Sequence, residues 1–279
     1  MALRGLSAPG WPEGRARLAA PIFAPLASAL ARLPAGRWPT AEELSAAAEG
    51  IATGGGRPLR FVAPARIRSR ERIPYELKIA RTGEVETRPE SWHDLFNALA
   101  WIAFPRTKAR LNAEHAAILA RGGEREARRR GPERDALTLF DESGVLVACA
   151  SPELARLAAG HEWKALFWTR RAELAARMEF LAFGHALHEQ ALDPFPGLVA
   201  RAVFVAVDEG HFALPRAARV DRVDALAAAH FASRANFASP RAMPPLPILG
   251  IPGWHPDNAR EAYYDDASHF RPGRGAPDA

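Results

Sequence analysis

The sequence predicts an α+β protein in which helices pack on a small, mainly antiparallel sheet and a long irregular strap forms the C-terminal end. Three observations indicate this class. Several segments repeat apolar residues with helical spacing, other short segments are apolar runs or alternate with the period of strands, and residues 239–279 show neither period. The apolar share of 48% and the charged share of 25% are typical of a globular protein.

We expect a single domain over residues 1–279. Its parts are a helical and irregular N-terminal arm (1–58), an α/β body (59–238) and a proline-rich C-terminal strap (239–279). A chain of this length buries about three quarters of the surface that its unfolded form exposes, so its stability requires neither a disulfide nor a metal.

The first third of the chain carries one well-marked helix start. Thr40 followed by Glu43 forms a capping-box pattern, which predicts a helix that ends at Gly50. The other elements predicted before residue 90 are a short helix over Pro25–Leu33, a strand over Leu59–Ala63, and a hairpin of Tyr75–Ala80 with Glu84–Arg88 around Thr82 and Gly83.

Pro105 separates two predicted helices, Ser91–Phe104 and Arg106–Arg121, because proline can begin a helix but cannot continue one. The arginine-rich stretch Arg121–Arg134 is expected to be a solvated loop. The elements predicted after it are a hairpin of Ala136–Phe140 and Val145–Ala150 that turns at Asp141, a short helix from Ser151, a helical region over His161–Leu192, a central strand over Leu198–Val207, and a helix over Asp221–Ala232.

Composition excludes some classes of function and disfavours others. No apolar run reaches the roughly 20 residues of a membrane span, so we expect no membrane partner. The net charge is +5, but only Lys78, Lys108 and Lys164 are lysines and the acidic residues are spread along the chain, which disfavours a nucleic-acid partner. The single cysteine, Cys149, forms no internal disulfide and fits a reducing compartment, so we expect a cytoplasmic protein.

Histidines lie on apolar faces of three predicted helices. His93 and Asn97 are one turn apart on Ser91–Phe104, and His115 lies on the apolar face of the next helix with Asn112 at its edge. His185 lies at the centre of a stripe made of Leu174, Met178, Leu181 and Leu192. Buried imidazoles and amides must find polar partners, so we expect at least two of these histidines to converge.

Convergent imidazoles are suited to general acid–base catalysis, because their ordinary pKa is about 6.5. We expect His185 to be the base, Glu189 to orient it from one turn away, and His93 and His115 to act as acid or binding groups. Asn97 and Asn112 are the expected ligand-binding amides. A core of satisfied, non-catalytic histidines remains the alternative interpretation.

A divalent metal is a further alternative, since histidine and glutamate both bind zinc and iron. The sequence from His185 to Glu189 matches neither the H-E-x-x-H motif of zinc proteases nor its inverted form. We therefore assign no metal ligand and no cofactor. The sequence also carries no G-x-S-x-G elbow, no phosphate-binding glycine loop and no paired C-x-x-C motif.

The C-terminal strap is too rich in large apolar residues to be a disordered tail, and we expect it to pack along the body. Trp254, His255 and Asp257 lie in its turn-rich centre. They are candidate ligand-binding residues if the strap forms a wall of the site, whereas Trp254 is a simple anchor if it does not.

Four segments resemble a known family. They run from Ser91 to Lys108, from Arg134 to Asp141, from Phe183 to Leu187 and from Pro247 to Trp254. Together they resemble an uncharacterised bacterial family, domain of unknown function 3025, over about residues 90–272. The resemblance implies an intracellular protein that stands as its own domain, and it implies no activity, ligand or catalytic residue.

These observations favour a small-molecule enzyme that uses histidine and carboxylate groups for acid–base chemistry, such as a hydrolase. The first alternative is a non-catalytic module that binds a ligand or a protein, and the second is a nucleic-acid-binding protein. Nothing in the sequence fixes the oligomeric state.

Overall fold

A computed structural model of the protein describes residues 9–64 and 73–273. Helices dominate, and two small sheets complete the fold, so the predicted α+β class is confirmed. The α-helices are α1 (Trp11–Arg17), α2 (Ala27–Leu30), α3 (Ala41–Ala47), α4 (Tyr75–Thr82), α5 (Trp92–Ala103), α6 (Pro105–Arg128), α7 (Pro132–Ser143), α8 (Pro152–Ala159), α9 (Arg171–Arg177), α10 (His185–Gln190) and α11 (Arg216–His230). The strands are β1 (Arg60–Val62), β2 (Glu84–Glu86), β3 (Gly144–Cys149), β4 (Met178–Ala182), β5 (Val199–Ala206) and β6 (Pro245–Pro247).

The larger sheet has the strand order β4-β3-β5-β6. The two outer pairs are antiparallel, and the central pair β3–β5 is parallel, with Val145 opposite Ala202 and Cys149 opposite Ala206. Every residue of β3 is buried, whereas β5 has exposed residues at both ends. The strand most fully enclosed by the core is therefore β3, although the long apolar run over Leu198–Val207 correctly indicated an inner strand.

Two N-terminal helix caps that the sequence predicts are present in the structure. Thr40 and Glu43 form both hydrogen bonds of the capping box at the start of α3. A serine caps α8 in a similar way: the hydroxyl of Ser151 accepts from the backbone N–H of Leu154, while Pro152 occupies the first turn. These signals depend only on neighbours within one turn, which is why the sequence alone reveals them.

The predicted hairpin over Tyr75–Arg88 is wrong in its first half. Tyr75–Thr82 is helix α4, and Gly83 ends this helix in the left-handed conformation (φ 76°) instead of turning a hairpin. The second half is strand β2, which pairs in parallel with β1. Helix α4 packs on α6, and this contact selects the helical conformation for a segment whose alternation also suits a strand.

The predicted strand over Ala136–Phe140 is also wrong, because this segment belongs to α7. Pro132 begins the helix with Glu133 and Asp135 in its first turn, and Ala136, Leu137 and Phe140 are buried with helical spacing. Asp141 is consequently a helical residue and not the turn of a hairpin. The predicted loop over Arg121–Arg134 is mostly helical, since α6 continues to Arg128 with a kink at Gly123.

The predicted helical region over His161–Leu192 contains a strand. A π-helical turn over Ala165–Thr169 and helix α9 lead directly into β4, and α10 follows the strand. The stripe drawn through Leu174, Met178, Leu181 and Leu192 is therefore not one helix face. Strand β4 forms because its five residues pair with β3 at the sheet edge, which outweighs their local preference.

Residues 239–273 of the C-terminal strap consist of short 3₁₀ turns around β6. Asn258 is buried, and its amide donates to the backbone oxygens of Leu249 (2.9 Å) and Ile251 (2.7 Å). The Tyr264 hydroxyl donates to the backbone oxygen of Gly250 at 2.9 Å. These internal hydrogen bonds replace the regular ladder that the prolines prevent.

The buried apolar side chains form one continuous cluster that extends from Trp11 to Phe270. The N-terminal arm joins it through two tryptophans that pack on Trp92 of α5: the ring centres of Trp11 and Trp92 are 5.5 Å apart, and those of Trp38 and Trp92 are 4.6 Å apart. No helix in residues 9–64 and 73–273 is long and apolar enough to cross a membrane.

Candidate active site

A cavity of about 820 Å³ lies between α4, α5, α6, α7 and the start of α10. All three histidines that the sequence analysis placed on apolar helix faces, His93, His115 and His185, line this cavity. So do Asn97 and Asn112, the two predicted ligand-binding amides. The volume is in the range of sites that bind small molecules.

His93 and His185 meet at the outer side of the cavity. Their ring centres are 4.6 Å apart, and the planes are nearly perpendicular at 78°. Glu142, at the end of α7, joins them, because His185 Nε2 lies 3.4 Å from Glu142 Oε2. One nitrogen of each histidine and one oxygen of Glu142 all lie within 4.8 Å of one another. Three helices thus bring three proton-carrying groups to one point.

The turn between β4 and α10 fixes the position of His185. The backbone N–H groups of Phe183 and Gly184 both donate to the carbonyl oxygen of Gly144, at 3.0 and 2.9 Å. A β-carbon on Gly184 would come within 2.4 Å of the Glu142 carbonyl oxygen, so only glycine allows this close approach. The approach places His185 directly beside Asp141 and Glu142.

Lys108 and Asp141 form an ion pair beneath these histidines. The side chain of Lys108 is only 5% exposed, and its ammonium donates to Asp141 Oδ1 (2.6 Å) and to Asn97 Oδ1 (2.9 Å). Asp141 Oδ2 lies 3.6 Å from His185 Nδ1. Burial alone would raise the pKa of Asp141, but the charge of Lys108 and the neighbouring His185 hold it below its usual range. Asp141 is therefore a carboxylate near neutral pH.

The inner wall presents polar atoms that have no partner. Asn112 donates to the backbone oxygen and to the carboxylate of Glu76, both at 2.8 Å, but its own Oδ1 accepts no hydrogen bond. His115 Nδ1 is likewise buried without a partner. Because an unpartnered buried polar atom costs about 1–3 kcal/mol, atoms of this kind at a cavity wall favour a polar ligand. Burial and the charge of Asp141 raise the pKa of Glu76.

Glu189 does not orient His185 as the sequence analysis expected. Its Oε2 lies 2.9 Å from Nδ1 of His93, and this pair joins α10 to α5. His185 and Glu189 are one helical turn apart on α10, but His93 of α5 lies closer to the Glu189 carboxylate than the His185 ring does. The hydrogen bond to Glu189 raises the pKa of His93 and leaves Nε2 as its free ring nitrogen.

In contrast to His93, the other two histidines of the cavity have lowered pKa values. Burial lowers the pKa of His185 to about 4 and that of His115 to about 4, so both are neutral at pH 7. Burial also raises the pKa of Glu142, with the charge of Asp141 adding to the effect. His188, which is fully buried between the rings of Phe23 and Phe96, belongs to the core and not to the cavity.

The strap residues lie elsewhere. Trp254 is partly buried and lines a separate groove with Phe180, Phe212 and Arg219. His255 stacks on Tyr263 at 5.3 Å, and its Nδ1 accepts from the backbone N–H of Asp257. None of Trp254, His255 and Asp257 is among the cavity-lining residues, so the expectation that the strap forms a wall of this cavity is wrong for them.

Sequence reasoning missed several residues of the site, namely Tyr75, Glu76, Lys108, Asp141 and Glu142. The prediction of a strand over Ala136–Phe140 places Asp141 and Glu142 in a turn, away from any site. Pro132 at the start of α7 and the helical spacing of Ala136 and Phe140 were the signals that could have corrected this. Lys108 carries no local signal, since its partner Asp141 is 33 positions away.

Comparison with known proteins identifies a family. The model of a family described as "Protein of unknown function (DUF3025)" matches residues 59–274, which contain every residue of the cavity named above. Comparison with curated proteins and with solved structures finds no significant match.

Proposed function

Because the chain belongs to the family DUF3025, whose description assigns no activity, we propose a function from the site itself: the protein is a small-molecule enzyme, and we infer that it is a hydrolase. One observation carries the proposal. His93, His185 and Glu142 converge within 4.8 Å at the wall of a cavity large enough for a small molecule. Groups so placed share one water or one substrate atom.

The chemistry follows from this convergence. A water held among the three side chains gives a proton to one of the two imidazoles while its oxygen bonds to the electrophilic centre of the substrate. The bond to the leaving group then breaks, and the leaving group takes a proton from the acid form of the cluster or from solvent. Lys108 and Asp141 support this arrangement, since they fix Asn97 on one side and face His185 on the other.

The cavity wall favours a small polar substrate over an apolar one. Asn112, His115 and Glu76 line its inner part, and Asn112 Oδ1 and His115 Nδ1 have no hydrogen-bond partner. A substrate with hydroxyl or N–H groups would give Asn112 Oδ1 and His115 Nδ1 partners, whereas an apolar substrate would leave these two atoms buried without any.

A panel of chromogenic esters, amides and phosphoesters tests the proposal. We expect turnover of at least one class, reduced about 100-fold or more in His185→Ala, because acid–base groups typically contribute 10²–10⁴-fold. His161→Asn is the matched control: this histidine lies outside the cavity at φ 57°, a conformation that asparagine tolerates. Turnover that is equal in His185→Ala and in the control would exclude the cavity as the active site.

A non-catalytic binding module is the second candidate, and the unpartnered atoms of Asn112 and His115 favour it. These atoms are suited to holding a ligand whether or not it reacts. A metabolite that is retained by the protein, recovered unchanged, and lost in Asn112→Ala would support this function over the enzymatic one.

We also propose a cytoplasmic setting for this activity. Cys149 is buried and forms no disulfide, and its Sγ donates to the backbone oxygen of Ser151. A lone thiol of this kind is compatible with a reducing compartment.

A further inference from the structure

We propose that His93, Glu142 and His185 bind one divalent metal ion of the zinc type. The inference deepens the proposed function and rests on it for the identity of the site. With the ion bound, acidification of the water by the ion would replace proton transfer from that water to an imidazole. It assigns the two imidazoles and the carboxylate as ligands, which leaves a fourth position open for that water.

The spacing of the three groups supports a shared ion. Donor atoms bound to one zinc at about 2.0–2.2 Å lie roughly 3.4 Å apart in a tetrahedron. His185 Nε2 and Glu142 Oε2 are 3.4 Å apart, and all three ligand atoms lie within 4.8 Å of one another. The side chains of His93 and Glu142 are 34% and 40% exposed, so small rotations of these two would close the remaining gap.

His185 supplies a second and independent observation. Its side chain is only 7% exposed, and its Nδ1 is buried without a hydrogen-bond partner. The ring lines the cavity between Asp141 and Glu142, at 3.6 and 3.4 Å, which is too long for strong hydrogen bonds. An imidazole whose Nδ1 is buried without a partner is suited to a metal ligand, because an ion bound at Nε2 would leave the Nδ1 proton for Asp141 to accept after a small movement.

The outer partners match those of metal-binding histidines. A histidine that binds a metal usually donates its other ring N–H to a carboxylate, which fixes the tautomer and the ring orientation. Glu189 has this relation to His93 at 2.9 Å, and Asp141 faces the corresponding nitrogen of His185. Asp141 is neutralised by Lys108, whereas Glu142 and Glu189 form no ion pair with a lysine or arginine of the described residues. The local charge therefore favours a cation.

The ligand chemistry selects the class of ion. Two imidazoles and one carboxylate are typical of zinc and related transition metals, whereas magnesium and calcium prefer sites made of oxygen atoms. The three ligands come from three helices that are far apart in the chain, so no short sequence motif encodes them.

Isothermal titration of Zn²⁺ into chelator-treated, dialysed protein tests the inference. We expect one equivalent of zinc per chain, with affinity reduced more than about 100-fold in His185→Ala and Glu142→Gln and roughly 10- to 100-fold in Glu189→Gln, the range found for outer partners. Glu142 is 40% exposed, so Glu142→Gln should keep the fold even if His185→Ala does not. His161→Asn should bind zinc as the original protein does.

Two results would overturn the inference: the original protein takes up no zinc, or Glu142→Gln binds zinc as tightly as the control. The turnover assay separates this failure from that of the proposed function. Turnover that depends on His185 but persists in chelator would exclude the ion and keep the enzyme. Zinc bound as expected, with no substrate turned over, would keep the metal site and exclude the hydrolase.

Discussion

Lys108 is a buried cation whose contacts hold the centre of the cavity together. Its ammonium lies between Asp141 and Asn97 and 5.3 Å from the centre of the Trp101 ring. A charge in this position is stable only with its partner, because the cost of removing two ions from water is offset by their attraction and by further hydrogen bonds. Lys108 therefore decides which neighbouring residues can be ionised.

We predict that Lys108→Met lowers the free energy of unfolding by about 3–5 kcal/mol, because Asp141 is left buried without its cation. In the double variant with Asp141→Asn, the loss should be smaller than the sum of the two single losses, since no charge then remains. Urea denaturation measures all three. The matched control is Lys78→Met, which breaks a surface pair with Glu86 and should cost about 0–1 kcal/mol. Strict additivity in the double variant would contradict the pairing.

His188 is predicted to make stability depend on pH. Burial lowers its pKa from 6.5 to about 3, so between these values the unfolded chain binds the proton and the folded protein does not. The free energy of unfolding should therefore be at its full value above pH 6.5 and fall as the pH drops toward 3.

The variant His188→Leu isolates this effect. Below pH 6 its free energy of unfolding should fall less steeply than that of the original protein, by up to about 1.4 kcal/mol per pH unit, the value for one proton. Urea denaturation at pH 7.5 and at pH 5 gives the two slopes, with His161→Asn as the control histidine. The remaining slope belongs in part to His115 and His185, whose pKa values are also lowered by burial. Equal slopes in His188→Leu and the original protein would show that His188 is not buried in neutral form.

At the scale of elements, the geometry of the site depends on a backbone contact between two segments. The turn from β4 into α10 lies against the end of α7, and the backbone hydrogen bonds from Phe183 and Gly184 to Gly144 tie them together. His185 and Glu142 belong to different elements, so their 3.4 Å separation is a property of this junction and not of either helix.

We predict that Gly184→Ala separates these two side chains. The new β-carbon would meet the Glu142 carbonyl oxygen at 2.4 Å and the Gly144 nitrogen at 2.5 Å, so the backbone must shift. Overpacking of this kind typically costs about 1–3 kcal/mol, which urea denaturation measures. A crystal structure of the variant should show His185 Nε2 farther from Glu142 Oε2. Gly10→Ala is the control, because nothing lies within 4 Å of a β-carbon there. An unchanged His185–Glu142 distance would mean that the glycine does not position the site.

The elements also show where local reasoning succeeds. Helices α5 and α6, which carry His93 and His115, are predicted correctly because each is long enough to display several helical turns. The segments Tyr75–Thr82, Pro132–Ser143 and Met178–Ala182 were assigned wrongly. Tyr75–Thr82 and Met178–Ala182 are short, so the helical and strand periods fit them almost equally well. Pro132–Ser143 is as long as α5, and Pro132 with the spacing of Ala136 and Phe140 is the signal that indicates its helix.

At the scale of the whole molecule, the N-terminal arm and the site share one core. Trp11 and Trp38 of the arm pack on Trp92, which begins the helix that carries His93. The apolar cluster continues from there to Phe270 in the strap. The parts that the sequence separates by composition are therefore joined by packing.

We predict that the protein unfolds in one cooperative transition. Tryptophan fluorescence, to which Trp11 and Trp38 of the arm contribute together with five other tryptophans, and circular dichroism at 222 nm should follow the same urea curve, because the buried apolar residues of the described ranges form one cluster. This result would support the single domain expected over residues 1–279. A fluorescence transition at lower urea than the loss of helix would instead identify the arm as a separate unit.

The sequence by itself determined the α+β class, the helix caps at Thr40 and Ser151, and the choice of His93, His115 and His185 as the residues to examine. Each of these depends on residue type and on spacing within a few turns, which the chain displays directly. Only the tertiary structure decided that Glu189 pairs with His93, that Lys108 pairs with Asp141, and that the strap stands apart from the cavity. Such pairings are set by which elements pack against each other, and the energies that select among packings come from contacts between residues far apart in sequence.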